Sequence, residues 1–148
     1  LFEVFSDPAG WWYDPEGRHL EPEQTRRWLD RAAERFDSDG LSYWTVRRRD
    51  DGAIIGVGGA QRQRTRAWNL NYRLATSQQG QGFATEVGRA AQRAASEVDD
   101  TVPFIAWVAP HNLPSRRVAE RLGLIDRGLR VDPSDGQQRL AYSDRTLS

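Results

Sequence analysis

A chain of 148 residues is the size of one domain, long enough to bury a core and short enough that one active site is expected. Its 21 basic residues are all Arg and are balanced by 21 acidic ones, so no long-range field favours nucleic acid or an anionic membrane. The absence of Cys and Lys excludes disulfides, a thiol nucleophile and lysine Schiff-base chemistry, and His19 and His111 form no ligand pair of the kind a zinc site needs. In chain order, Leu1 to Phe5 is predicted as the end of a helix. The turn formers Ser6, Asp7, Pro8 and Gly10 follow, then the aromatic cluster Trp11, Trp12 and Tyr13, and a second turn with Pro15 and Gly17. From Pro22 to Phe36, Trp28, Leu29, Ala32, Ala33 and Phe36 recur at helical spacing, and the helix should stop near Asp39 and Gly40.

Strands are predicted at Ser42 to Arg48 and Ala53 to Ala60. They flank Asp51-Gly52, a dipeptide suited to a tight hairpin turn. Arg47, Arg48 and Arg49 then fall at a solvated hairpin end, and a nucleic-acid role for that run has little support from the charge balance. Strict alternation from Ala67 to Leu74 places Trp68, Leu70, Tyr72 and Leu74 on one strand face and Asn69, Asn71 and Arg73 on the other. Ala84, Val87, Ala91, Ala94 and Val98 mark the inward stripe of the next helix. The apolar run Val102 to Ala109 is expected as a strand covered on both faces. Asn112 should cap a helix that turns Val118 and Leu122 inward and ends at Gly123 in the left-handed conformation. Residues 124–131 and 138–143 read as a last hairpin. The expected architecture is α/β, one mixed and mostly antiparallel sheet flanked by helices.

No apolar run reaches the ~20 residues of a membrane-spanning helix, and no charged-then-apolar leader opens the chain. A soluble protein is expected, and reducing cytoplasm suits a chain without Cys. No Met occurs, even at position 1, so a natural start upstream of Leu1 is expected.

The segment Leu74-Ala75-Thr76-Ser77-Gln78-Gln79-Gly80-Gln81-Gly82-Phe83-Ala84-Thr85-Glu86 carries the most chemistry. A strand enters it and an amphipathic helix leaves it, so free backbone N–H groups and the positive helix end converge on its glycines. Such a turn binds phosphate oxygens, and a side chain at Gly80 or Gly82 would obstruct a pyrophosphate. The plainer alternative is a pair of glycines serving only the strand-to-helix turn. A dinucleotide fingerprint would want a third glycine where Thr85 stands, and a nucleotide-triphosphate loop needs a Lys that is absent.

Gly80-Gln81-Gly82 resembles the Gln/Arg-x-x-Gly-x-Gly/Ala loop of the GNAT superfamily of acyl-CoA-dependent N-acetyltransferases, with Ser77 at its first position in place of Gln or Arg. About 30 residues on, Asn112-Leu113-Pro114-Ser115-Arg116-Arg117-Val118 and Gly123 are similar to the second block of that family, Asn-x-x-Ser-x-x-Val-x-x-x-x-Gly. The resemblance spans roughly Leu1 to the C-terminus and is strongest to the branch that includes N-terminal acetyltransferases of ribosomal proteins.

The resemblance implies acetyl-CoA as co-substrate, no metal, and an amine acceptor, either a peptide α-amine or a small molecule. Leu74, Ala75 and Thr76 would then pair with the pantetheine amides. Gln79, Gly80, Gln81, Gly82, Phe83 and Ala84 would cradle the pyrophosphate, with Thr85 beside them. Asn112 would hold the pantetheine arm, Ser115 would sit near the sulfur, and Arg117 would either reach the adenosine phosphate or stand as a solvated helix residue. Trp11, Trp12 and Tyr13 fall where the family builds its acceptor-side wall, though packing over a sheet edge is an equal alternative. The family normally begins with a strand before its first helix, and that strand is expected upstream of Leu1. If the protein lacks it, a sheet edge lies open to another chain and a homodimer is expected.

Acetyl transfer to an amine needs a neutral amine, a held carbonyl and a protonated leaving thiolate. Ala119 stands where some relatives carry a tyrosine acid, which leaves Ser115, otherwise a first-turn hydroxyl bonded to the backbone. Asn69 stands where the branch often has a Glu base, and an amide cannot take that proton. A water relay or another carboxylate, Glu86 among the candidates, would have to serve. These gaps motivate the alternative of a non-catalytic acyl-CoA-binding module. A purely structural interaction domain is the remaining reading.

Overall fold

The computed structural model describes residues 1–64 and 66–147. Helix α1 (Phe2–Ser6) and two single 3-10 turns (Pro8–Trp11 and Pro15–Gly17) precede α2 (Pro22–Asp39). A capping box between Glu21 and Gln24, with Pro22 in the first turn, starts α2. It ends at Asp39 with Gly40 in the left-handed conformation, where the stop is predicted. Strands β1 (Tyr43–Arg47), β2 (Ile54–Arg62) and β3 (Trp68–Leu74) form the expected meander. The β1–β2 turn is wider than the two-residue turn predicted. Arg48 N–H bonds Ala53 O at 2.9 Å and Gly52 N–H bonds Arg48 O at 3.0 Å, so four residues fill the loop. Only Gly52 among them has positive φ, whereas a two-residue type I′ turn needs two such residues.

Helix α3 (Phe83–Val98), strand β4 (Phe104–Val108), helix α4 (Leu113–Arg121) and the hairpin β5 (Ile125–Val131) and β6 (Gln138–Ser143) complete the chain. The six strands order β1-β2-β3-β4-β6-β5. All neighbours are antiparallel except β3 and β4. The sheet is thus mixed and mostly antiparallel, and β1 and β5 form its edges.

Alternation along the strands assigns the two faces. A Cβ at Gly58 would lie 2.5 Å from Val87 of α3, and its cross-strand partner is Tyr72, so this face carries α3. The neighbouring position, Gly59, is paired with Tyr43, whose ring stacks on Trp28 of α2 at 5.4 Å, so α2 covers the opposite face. The larger core lies under α3 and α4 and is built from Leu70, Phe104, Ala106, Val108, Leu140 and the fully buried Trp68 and Tyr142. Ile105 and Ala141 pack on the other side with Trp107, so β4 is covered on both faces as its apolar run predicts. The stripe of α3 sits differently from its prediction. Thr85, Gly88, Ala91 and Ala95 are the buried positions, and Val98 is exposed at the helix end, where its methyls lie against Gly40. The missing Cβ at Gly88 admits Leu122 of α4, whose Cδ1 would otherwise be 2.6 Å away.

Candidate active site

The parallel ladder between β3 and β4 is two residues long, Trp68 with Phe104 and Asn69 with Ile105. Beyond it β3 stays paired to β2 as far as Leu74, and β4 to β6 as far as Val108. The facing edges of Leu70–Leu74 and Ala106–Val108 therefore have no strand between them. A cleft of about 400 Å³ opens there, and its exposed main-chain groups must find partners in water or in a ligand. An extended ligand bearing amides can complete that ladder. Two predicted contacts are taken up by the protein itself. The Leu74 carbonyl accepts from Gln79 Nε2 at 3.3 Å, and the Ala75 N–H bonds Ile55 O at 2.7 Å. Thr76 opens a 3-10 turn and ties its hydroxyl to Asp7 at 2.9 Å. Ala75, Thr76 and Gln81 do not line the cleft, whereas Leu74, Gln79, Gly80, Gly82, Phe83, Ala84, Thr85, Asn112, Ser115 and Arg117 do.

The β3–α3 loop closes one end of the cleft. Gln79 N–H bonds Thr76 O, and the first intrahelical bond of α3 runs from Glu86 N–H to Gly82 O at 3.1 Å. Between them the N–H groups of Gly80, Gln81, Gly82, Phe83, Ala84 and Thr85 have no acceptor among the described residues. Gly80 and Gly82 have φ of 78° and 85°, and a Cβ on either would meet no protein atom within 4 Å. Both glycines thus hold a left-handed turn around open space. Thr85 Oγ1, in the same turn, is buried without a hydrogen-bond partner. Six free amides, an orphaned hydroxyl and the positive end of a 16-residue helix fit a diphosphate. Arg48 reaches this loop from the β1–β2 hairpin. It donates to Gln78 Oε1 at 2.9 Å and lies 5.9 Å over the Phe83 ring, so one member of the arginine run braces the loop instead of standing in solvent.

Helix α4 forms the opposite wall. Asn112 Oδ1 caps the helix by accepting the Ser115 N–H at 3.3 Å, while the amide Nδ2 has no partner among the described residues. Tyr72 of β3 donates its phenol to Ser115 Oγ at 3.0 Å. Burial pushes that phenol up to about 12, with the Ser115 hydrogen bond opposing the shift. Ala119 is buried in the core, so the hydroxyl partner of Ser115 comes from the sheet and not from the helix. Tyr72 was missed in the sequence because its face of β3 is otherwise apolar. The unmet need of a buried phenol for a partner was the signal available.

The N-terminal turns cover the other end. Trp11 Nε1 donates to Phe5 O at 2.7 Å, and the half-exposed Trp12 meets His111 edge-on at 5.6 Å. Trp12 and Tyr13 line the cleft with Asn71 and Arg73. The Arg73 guanidinium lies 3.4 Å over the Trp11 ring and donates to Gly10 O at 2.6 Å and to the Tyr13 hydroxyl. Glu86 is exposed and does not line the cleft, and no Asp or Glu lines it among the described residues. No group of three or more His, Asp or Glu could hold a metal among those residues, and no helix is long and apolar enough to cross a membrane.

Solved structures share this fold. A GnaT-family acetyltransferase from Bordetella pertussis aligns with a TM-score of 0.74 at 22% identity, over 94% of this chain and 92% of that one. A ribosomal-protein-S5-alanine acetyltransferase from Vibrio fischeri gives 0.69 at 16%, over 96% and 87%. A ribosomal L7/L12 alpha-N-protein acetyltransferase in complex with coenzyme A gives 0.74 at 17%, over 96% and 84%. The family model described as an acetyltransferase (GNAT) domain matches residues 1–125. That match spans the splayed strands, the open-amide loop and the Asn112–Ser115 cap, and on it the chain belongs to the GNAT acetyltransferase family.

Proposed function

We propose that this protein transfers an acetyl group from acetyl-CoA to a primary amine by direct attack of the amine on the thioester. The observation that carries the reading is the row of unpartnered amides from Gly80 to Thr85 at the mouth of the β3–β4 cleft. These amides and Thr85 Oγ1 would hold the diphosphate. The free edges of β3 and β4 would pair with the pantetheine amides, Asn112 Nδ2 would hold the same arm, and Arg117 would meet the adenosine phosphate. The cofactor supplies a thioester carbonyl open to an amine, with a thiolate as leaving group.

The protein's part is to position these groups and to deliver one proton. Ser115 would donate its hydroxyl proton toward the sulfur, and Tyr72, hydrogen-bonded behind it, would replace that proton. A phenol held up to about 12 stays protonated across the neutral range and remains a donor. With no Asp or Glu among the described residues that line the cleft, deprotonation of the amine would fall to a water relay. The Tyr72–Ser115 pair favours turnover over passive acyl-CoA binding, since it offers an acid in place of the one missing at Ala119, one of the two gaps, with Asn69, that raised that alternative.

The test follows thiol release and acetylated product with acetyl-CoA and a panel of peptide and small-molecule amines. A chain without Cys adds no thiol background. Acetyl-CoA-dependent release matched by N-acetyl product is expected. Calorimetry showing no acetyl-CoA binding would remove the proposal.

A further inference from the structure

The charge lining the cleft is of one sign. Its charged side chains among the described residues are Arg73, Arg117, Arg121 and Arg139, with no Asp or Glu, in a chain whose formal net charge is zero. Arg117 and Arg121 lie on α4, on the wall assigned above to the cofactor, which is itself polyanionic. Arg139 is already neutralised by Asp132 at 2.7 Å and Asp135 at 2.8 Å. Arg73 is different. It belongs to the β3 face opposite α3 and meets the N-terminal turns, on the side left for the acceptor. Its guanidinium is held flat by the Trp11 ring and steered by Gly10 O and the Tyr13 hydroxyl. Two of its five N–H groups are used, and it makes no ion pair among the described residues. A half-buried cation fixed in this way presents its remaining donors as a ready fork for a planar anion.

We propose that Arg73 is an anion subsite of the acceptor pocket, so that the substrate is an amine carrying a carboxylate near its nucleophilic nitrogen. Polycationic amines are disfavoured by the arginines around the cleft. The carboxylate belongs either to a free α-amino acid or to an acidic side chain next to a peptide's α-amine, and both present the same group to Arg73. This inference rests on the acetyl transfer proposed above.

The test uses the full chain and matched acceptors: L-phenylalanine against L-phenylalaninamide, and the tripeptide amides Ala-Glu-Ala against Ala-Gln-Ala. Thiol release is expected to give at least a tenfold higher kcat/KM for the carboxylate member of one pair, and the pair identifies the source of the anion. Arg73→Gln should bring that ratio to within about twofold, and Arg73→Lys, which keeps charge but loses the fork, should leave an intermediate ratio. A purely structural role for Arg73 would lower both members of a pair equally and leave their ratio unchanged. A second readout needs no turnover. Tryptophan fluorescence of the coenzyme A-loaded protein, with Trp11 under the guanidinium as reporter, should show tighter binding of N-acetyl-L-phenylalanine or N-acetyl-Ala-Glu-Ala amide than of its uncharged counterpart. If Arg73→Gln does not fold, the wild-type and Arg73→Lys ratios decide. Equal use and equal binding of charged and uncharged members overturns the subsite, as does a preference that persists in a folded Arg73→Gln. Intact acetyl-CoA binding with no carboxylate preference rejects the subsite alone, whereas failure of acetyl-CoA to bind rejects the transferase reading with it.

Discussion

Replacing Gly82 by Val separates the cost of a backbone conformation from the cost of a blocked ligand. At φ of 85° a side chain is strained, by roughly 1–2 kcal/mol for a left-handed residue. With no protein atom within 4 Å of the added Cβ, the Cβ itself meets no packing clash. The melting temperature should therefore fall by only about 3–8 °C. The same side chain enters the space the free amides enclose. Displacing a diphosphate from two of them would forfeit two charge-assisted hydrogen bonds of about 1.5–3 kcal/mol each. Acetyl-CoA should then bind roughly 10²- to 10⁴-fold more weakly. Gly136→Val is the control. Gly136 lies in the β5–β6 hairpin with φ of 76° and equally open space, so it carries the same backbone cost without touching the loop. Calorimetry and thermal melts on both variants and the parent make the comparison. Similar melting losses with acetyl-CoA affinity lost only in Gly82→Val are expected, whereas equal affinity in all three proteins would refute the argument.

Tyr72→Phe and Ser115→Ala should each lower kcat by about 10²-fold, and the double variant should be no worse than either, because one relay is broken once. With the Tyr72 phenol pushed up to about 12, initial rates should rise with deprotonation of the acceptor and show no loss of the donor proton below about pH 10. Asn112→Ala removes the α4 cap and should cost about 1 kcal/mol in denaturant unfolding, with weaker acetyl-CoA binding in titration. His19 is held below its ordinary value of 6.5 by burial first, then by Arg73 and Arg31. As pH falls below about 6.5 the unfolded chain takes up a proton that the folded ring refuses, so stability is lost in that window. Denaturation curves at pH 7.5 and 5 should show a smaller loss in His19→Gln than in the parent.

The order of elements was legible because each segment carried its own period. The alternation from Trp68 to Leu74 and the apolar run into Val108 set the two central strands, and Asn112 announced its cap. The glycine loop was legible too, since Gly80 and Gly82 sit between a strand and an amphipathic helix and only a left-handed turn needs both. What stayed hidden depends on distant partners. Tyr72 reads as core until α4 brings Ser115 to its hydroxyl. Arg73 reads only as one of the polar residues on its strand face until the turns carry Trp11 and Tyr13 over it. The splay itself has no local signal, because β3 and β4 part only when β2 and β6 hold them on their outer edges.

Backbone amide resonances followed by NMR during titration of the ¹⁵N-labelled full chain with coenzyme A address the loop directly. Large shifts at Gly80, Gln81, Gly82, Phe83 and Ala84, accompanied by Thr85, are predicted, with smaller ones at the free edges of β3 and β4. Binding with those amides unmoved, or with the shifts gathered away from the cleft, would contradict the account.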